Sequence, residues 1–161
     1  MISLIWAKSS KPLSKLIRWS LNEDCSHFAI CFDRRIVFHS DLRGVHIEWL
    51  EDFAKAHDIV HCLFMPSLSL ETEELIYQSS ISISGRMYDY LGLLYFGYRL
   101  FLLKMFKSPL PKVNKWGSAH LDMCIEVSTV LDPIIPALPN ISMTSPHQLF
   151  EYMENFAKGE Q

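Results

Sequence analysis

The sequence has no CxxC pair, no net positive charge and no uninterrupted apolar run of bilayer-spanning length. Its four cysteines, Cys25, Cys31, Cys62 and Cys124, are too few and too scattered for the disulfide framework of a small secreted domain or for a paired zinc-ligand pattern. The 15 Lys and Arg residues against 18 Asp and Glu give a formal net charge of −3. Binding to a phosphate backbone usually leaves a strong excess of cations, so nucleic acid is not an expected partner. The segment from Tyr88 to Phe106 is strongly apolar but carries Asp89, Arg99 and Lys104, whereas a spanning helix needs about 20 residues with few charges. It reads as a buried or partly interfacial helix, with a membrane surface the less favoured partner. Met1 to Lys8 lacks a basic region ahead of its short apolar run, so no secretory signal is expected, and a cytoplasmic protein with reduced thiols is the simplest reading. What is present is an apolar share of 49% over 161 residues, enough to bury one core and expected to form a single domain over 1–161.

Along the chain, residues 2–7 form a β-type run, and Pro12 opens a segment whose apolar positions 13, 16 and 17 have helical spacing. Residues 26–32 and 35–39 are rich in Ile, Val, Phe and Cys and flank the charged pair Asp33-Arg34, which predicts a β-hairpin. A third run, 44–47, precedes a helical pattern over 48–55; a strand pattern over 59–65 then ends at Pro66. The second half changes character, with helices expected over 70–83, 88–105, 119–131 and 146–157. The fold class expected is α+β, a small antiparallel sheet packed against helices.

Four segments carry chemistry: Ser26-His27-Phe28-Ala29-Ile30, Phe38-His39-Ser40, Tyr88-Asp89-Tyr90-Leu91-Gly92 and Asp122-Met123-Cys124-Ile125-Glu126. A thiol hydrolase needs a cysteine held as thiolate, a histidine that takes and returns its proton, and a polar group that orients the imidazole. A cysteine in the first turn of a helix is helped by the dipole and by free N–H groups that can receive an oxyanion. Cys124 is expected in such a turn. His27 begins one strand and His39 ends its hairpin partner, so the two rings are expected side by side on the sheet.

Together these segments resemble the circularly permuted branch of the NlpC/P60 papain-like superfamily, over about residues 16–153. The resemblance implies a permuted papain-like fold, with Cys124 as nucleophile, His27 as general base and His39 as the third residue. Gly85 to Tyr90 is similar to the family's Gly-x-x-Tyr-Asp approach, and Thr144 to Leu149 to its late Thr-Pro-x-x-Leu segment. A cysteine hydrolase cleaving an amide or ester is implied, with peptidoglycan peptides as the best-known substrates, a phage or bacterial source, and no metal or organic cofactor. Two residues depart from the pattern. Ile125 stands where the family usually has Ser. His39 in place of an acid resembles the lecithin:retinol acyltransferase relatives, which widens the chemistry to lipid acyl transfer or ester cleavage.

Alternatives stay open at several positions. Cys25, two residues before His27, would face the same side of an extended strand and offers a second thiol. His57, His61 and Cys62 invite a zinc reading, although a second ligand pair is missing. Tyr88 and Asp89 either bind substrate or cap the long helix, and Glu126 serves substrate or a structural hydrogen bond. A non-catalytic binding module on the same fold is the rival class. If His39 only holds a tautomer, His39→Glu is expected to be a conservative exchange.

Overall fold

The computed structural model describes residues 1–65, 68–109, 115–116, 124, 126–132, 134–135 and 144–158. Strands β1 (Ile2–Lys8), β2 (His27–Phe32), β3 (Ile36–Asp41), β4 (Gly44–Trp49) and β5 (Asp58–Met65) form one antiparallel sheet in the order β4-β3-β2-β1-β5. Helices α1 (Pro12–Leu21), α2 (Leu50–Ala56), α3 (Leu70–Ile83), α4 (Tyr90–Phe106) and α5 (Pro146–Lys158) complete an α+β architecture with a short 3-10 helix over Glu126–Leu131. Among these residues no helix is long and apolar enough to cross a membrane.

β2 is buried along its whole length because β1 and β3 flank it and both faces are covered. Side chains alternate along a strand. Phe28, Ile30 and Phe32 therefore enter the large core with Ile2, Leu4, Trp6, Phe38, Leu149 and Met153. Ala29 and Cys31 turn the other way, into a smaller cluster closed by Phe53 of α2. The β2–β3 turn has Asp33 and Arg34 at φ 50° and 55°, with Arg35 N–H donating to the Phe32 carbonyl at 3.0 Å. The left-handed pair gives the turn a twist that suits a hairpin, and Arg35 is one extra residue before pairing resumes between Phe32 and Ile36.

Two expected helices differ. The segment 48–55 becomes helical only from Leu50, because Glu48 and Trp49 pair with Val37 and Ile36 and extend β4. Of the segment 119–131, residues 119–123 lie outside the described residues, Cys124 sits in a turn and the helix is the 3-10 stretch from Glu126. The β-branched Val127, Thr129 and Val130, with Ser128, lower α propensity there, and Pro133 follows at once. At the other long helix, Asp89 accepts the Gly92 N–H at 2.7 Å, so α4 starts one residue after this cap.

Gly44 joins the hairpin to the approach toward α4. Val45 N–H donates to the Arg86 carbonyl at 2.9 Å, and Gly85 N–H returns to the Val45 carbonyl at 2.8 Å. Gly44 has φ +101°, and a Cβ there would run into the Arg86 carbonyl oxygen. Gly44→Ala is expected to lower stability by about 2 to 4 kcal/mol, combining a left-handed backbone with a backbone clash. The urea midpoint measures this, and an unchanged midpoint would show that the 85–86 segment yields freely.

Candidate active site

The site is built at the start of β2. Ala29 pairs with His39 across the β2–β3 hairpin, and His46 of β4 pairs with His39 in turn. With alternating side chains, His27, His39, His46 and Glu48 fall on the face that α2 covers. The Phe53 ring lies 5.9 Å from that of His27 and 5.1 Å from that of His39.

His27 Nε2 is 3.0 Å from His39 Nδ1, and His39 Nε2 is 2.9 Å from Glu48 Oε1. A carboxylate can only accept, so His39 donates through its Nε2–H to Glu48. A neutral His39 then presents a bare Nδ1, which accepts from His27 Nε2–H. His27 Nδ1 is left without a proton, the form that a general base requires. Arg43 donates to Glu48 Oε2 at 3.3 Å and to His46 Nε2 at 2.9 Å, fixing the outer end of the chain.

Burial keeps the rings neutral. It holds His27 well below the usual imidazole range, with His39 and His57 opposing a further charge. His39 is lowered by the same cause, with His46 and His57 adding to it. His57, itself lowered by burial, stacks on His27 with ring centroids 4.9 Å apart and planes 13° apart. His57 Nδ1–H donates to the Phe53 carbonyl at 3.2 Å.

A cavity of about 370 Å³ opens against this face, lined among others by His27, His57, Tyr88, Ser26 and Cys124. The Cys124 Sγ approaches the Ser26 carbonyl at 3.9 Å. Ser26 is fixed in turn, since its Oγ lies 2.6 Å from that of Ser14 in the first turns of α1, whose oxygen also accepts the Ser9 N–H. The expected first helical turn at Cys124 is corrected. The residue precedes a 3-10 helix, which offers its opening N–H groups rather than the aligned dipoles of a long α-helix.

The structure thus brings Cys124 and His27 to one cavity and places His39 behind His27. Tyr88 lines that cavity, with its hydroxyl held protonated well above the ordinary phenol range by burial and by the nearby Cys124 and Glu126. Asp89 is fully buried and caps α4. Glu126 opens the 3-10 helix, half-buried.

Cys25 does not join them. It packs in the large core, and burial with the charges of Asp24 and Glu23 pushes its thiol up to about 12. Burial also raises Cys31 and Cys62. The zinc reading of His57, His61 and Cys62 finds no cluster among the described residues, because His61 pairs with Asp24 at 2.9 Å while His57 stacks inside the site. The ligand atoms of His39, His46 and Glu48 do lie within 4.8 Å of one another. Their hydrogen bonds already occupy both His39 nitrogens, and the Arg43 guanidinium beside them opposes a cation.

Glu48 and His57 join the site in addition to the residues the sequence pattern singles out for it. Glu48 opens a stretch with helical spacing, yet its separation of two from His46 is the strand period, the signal in the sequence that sets it beside His39. No protein-family model matches the chain, and no curated protein matches it.

Proposed function

We propose that the protein is a cysteine hydrolase of permuted papain-like fold in the NlpC/P60 superfamily, acting in a reducing cytoplasm on an amide or ester. The observation that carries this reading is the His27–His39–Glu48 chain, ending on the cavity that Cys124 lines. Cys124 passes its proton to His27 Nδ1, and the thiolate sulfur adds to the substrate carbonyl carbon. The oxygen that gains charge is received by opening N–H groups of the 3-10 helix and by the Tyr88 hydroxyl. As the C–N or C–O bond breaks, His27 returns the proton to the leaving amine or alcohol and an acyl-thioester remains. Water, deprotonated by the same nitrogen, hydrolyses it to the acid and restores the thiol. Asp89 acts through its cap as a positioning residue for Tyr88, and no step calls for a cofactor.

Alkylation by iodoacetamide across pH, read by mass spectrometry, tests this. Cys124 is expected to react ahead of Cys25, Cys31 and Cys62 around neutral pH, because the neutral His27 takes its proton as the sulfur attacks, whereas an ordinary thiol of pKa about 8.5 is mostly protonated there. His27→Ala should move that labelling toward the ordinary range. Labelling that rises only above pH 8 and spreads over all four cysteines would leave a non-catalytic binding module.

One observation favours an acyl-ester substrate over a peptide. Leu13 and Ile17 of α1 line both the site cavity and an apolar groove of about 220 Å³ between α1 and α4. A hydrocarbon chain lying in that groove would bring its carbonyl to Cys124, as lipid-ester cleavage or acyl transfer requires.

A further inference from the structure

α4 turns a wide apolar stripe to solvent. Leu91, Leu94, Tyr98, Phe101 and Met105, spaced by three and four residues, are between 52% and 62% exposed. Only Gly92, Tyr95, Phe96 and Leu100 on the helix are buried, so of the two readings, buried or partly interfacial, the helix has one buried side and one open apolar side. Leu16 and Trp19 of α1, 53% and 62% exposed, continue the patch across the groove. Uncovered apolar area of this extent, concentrated on one helix pair, marks a docking surface.

Charge says what covers it. Residues 11–21 and 90–116 hold eight of the 15 Lys and Arg residues and none of the 18 Asp and Glu. Lys11, Lys15, Lys104, Lys107 and Lys115 are all exposed. Lys104 sits with its Nζ 5.0 Å from the Trp19 ring centroid, with its cation at the rim of the patch. Apolar side chains and aromatics bordered by Lys and Arg suit the boundary between acyl chains and anionic headgroups. A second copy fits poorly, since two such faces would oppose like charges.

We infer that the α1–α4 face seats the protein on an anionic lipid surface. The inference goes beyond the proposed chemistry and does not need it, so binding is measured with Cys124→Ser as well as with the unaltered chain. Both are expected to co-sediment with vesicles of equal parts phosphatidylcholine and phosphatidylserine, and roughly tenfold less with phosphatidylcholine alone. Leu94→Glu with Phe101→Glu should weaken binding to the mixed vesicles by roughly tenfold or more. Lys15→Glu with Lys107→Glu should erase the preference for phosphatidylserine. All four side chains are exposed, and circular dichroism confirms that each variant is folded. No co-sedimentation by the folded chain, or binding by both double variants as tight as that of the unaltered chain, overturns the inference. A concentration-dependent dimer that Leu94→Glu with Phe101→Glu dissolves, without lipid binding, also overturns it and gives the face to a second copy.

Discussion

Cys124→Ala and His27→Ala are each expected to lower kcat/KM on an activated acyl ester by about three orders of magnitude or more, because in the proposed mechanism nucleophile and base act as one unit. The two losses should not add in the double variant. His39→Ala should cost less, since it removes the group that sets the His27 tautomer rather than a reacting group. Glu48 changes what is expected of His39→Glu. A second carboxylate placed about 3 Å from Glu48 would raise the proton affinity of the pair, so this exchange is no longer conservative. Paired with Glu48→Gln it should recover part of the rate. Glu48→Gln alone should slow turnover by about tenfold or more, because an amide can donate as well as accept and no longer dictates which way the imidazoles face. Rates for Glu48→Gln equal to those of the unaltered chain would detach β4 from the mechanism.

Acid should unfold the protein early. His27, His39 and His57 are all held below the ordinary imidazole range by burial in the native state. Below pH 6.5 the unfolded chain therefore binds protons that the folded chain refuses, and stability falls as pH falls. It is fully present above the unfolded value and is lost progressively on acidification. The unfolded histidines go from half to nearly fully protonated in that window, so each removes at most about 1 kcal/mol and the three together at most about 3 kcal/mol between pH 6.5 and 5.5. Against a typical total of about 5 to 15 kcal/mol this is a large share. Urea midpoints measured from pH 7.5 to 5 should drop steeply, and His57→Phe, which keeps a ring against Phe53, should flatten the slope by about a third. A midpoint constant to pH 5 would mean that protonated imidazoles are accommodated inside the fold.

Local pattern made most of the sheet legible. The apolar run 27–32, the Asp33-Arg34 turn and the strand 58–65 have residue types that match their periods, and tertiary context did not override them. The pairing of His27 with His39 followed from two strands joined by a short turn. Glu48 was hidden by a real ambiguity, because residues 48–55 satisfy helical spacing while cross-strand partners at Ile36 and Val37 claim the first two. The end of β4 is decided by long-range hydrogen bonds, which no local pattern reports. His57 escaped for a related reason. In the chain it stands with His61 and Cys62 as a metal-ligand pattern, and only the return of the chain from α2 into β5 stacks it on His27. The exposed stripe on α4 needed the fold as well, since its apolar residues surround the helix and the buried side cannot be told from the open one.

The alternation along β2 also separates how this strand can change. Phe28, Ile30 and Phe32 answer to the large core, whereas His27, Ala29 and Cys31 face the histidine cluster and α2. Changes to the large core and changes to the packing beneath the histidines would therefore fall on interleaved positions of one six-residue segment. A library varied at 28, 30 and 32 samples the first, and one varied at 29 and 31 samples the second. Insertion or deletion of a single residue in β2 would exchange the two sets and destroy both at once.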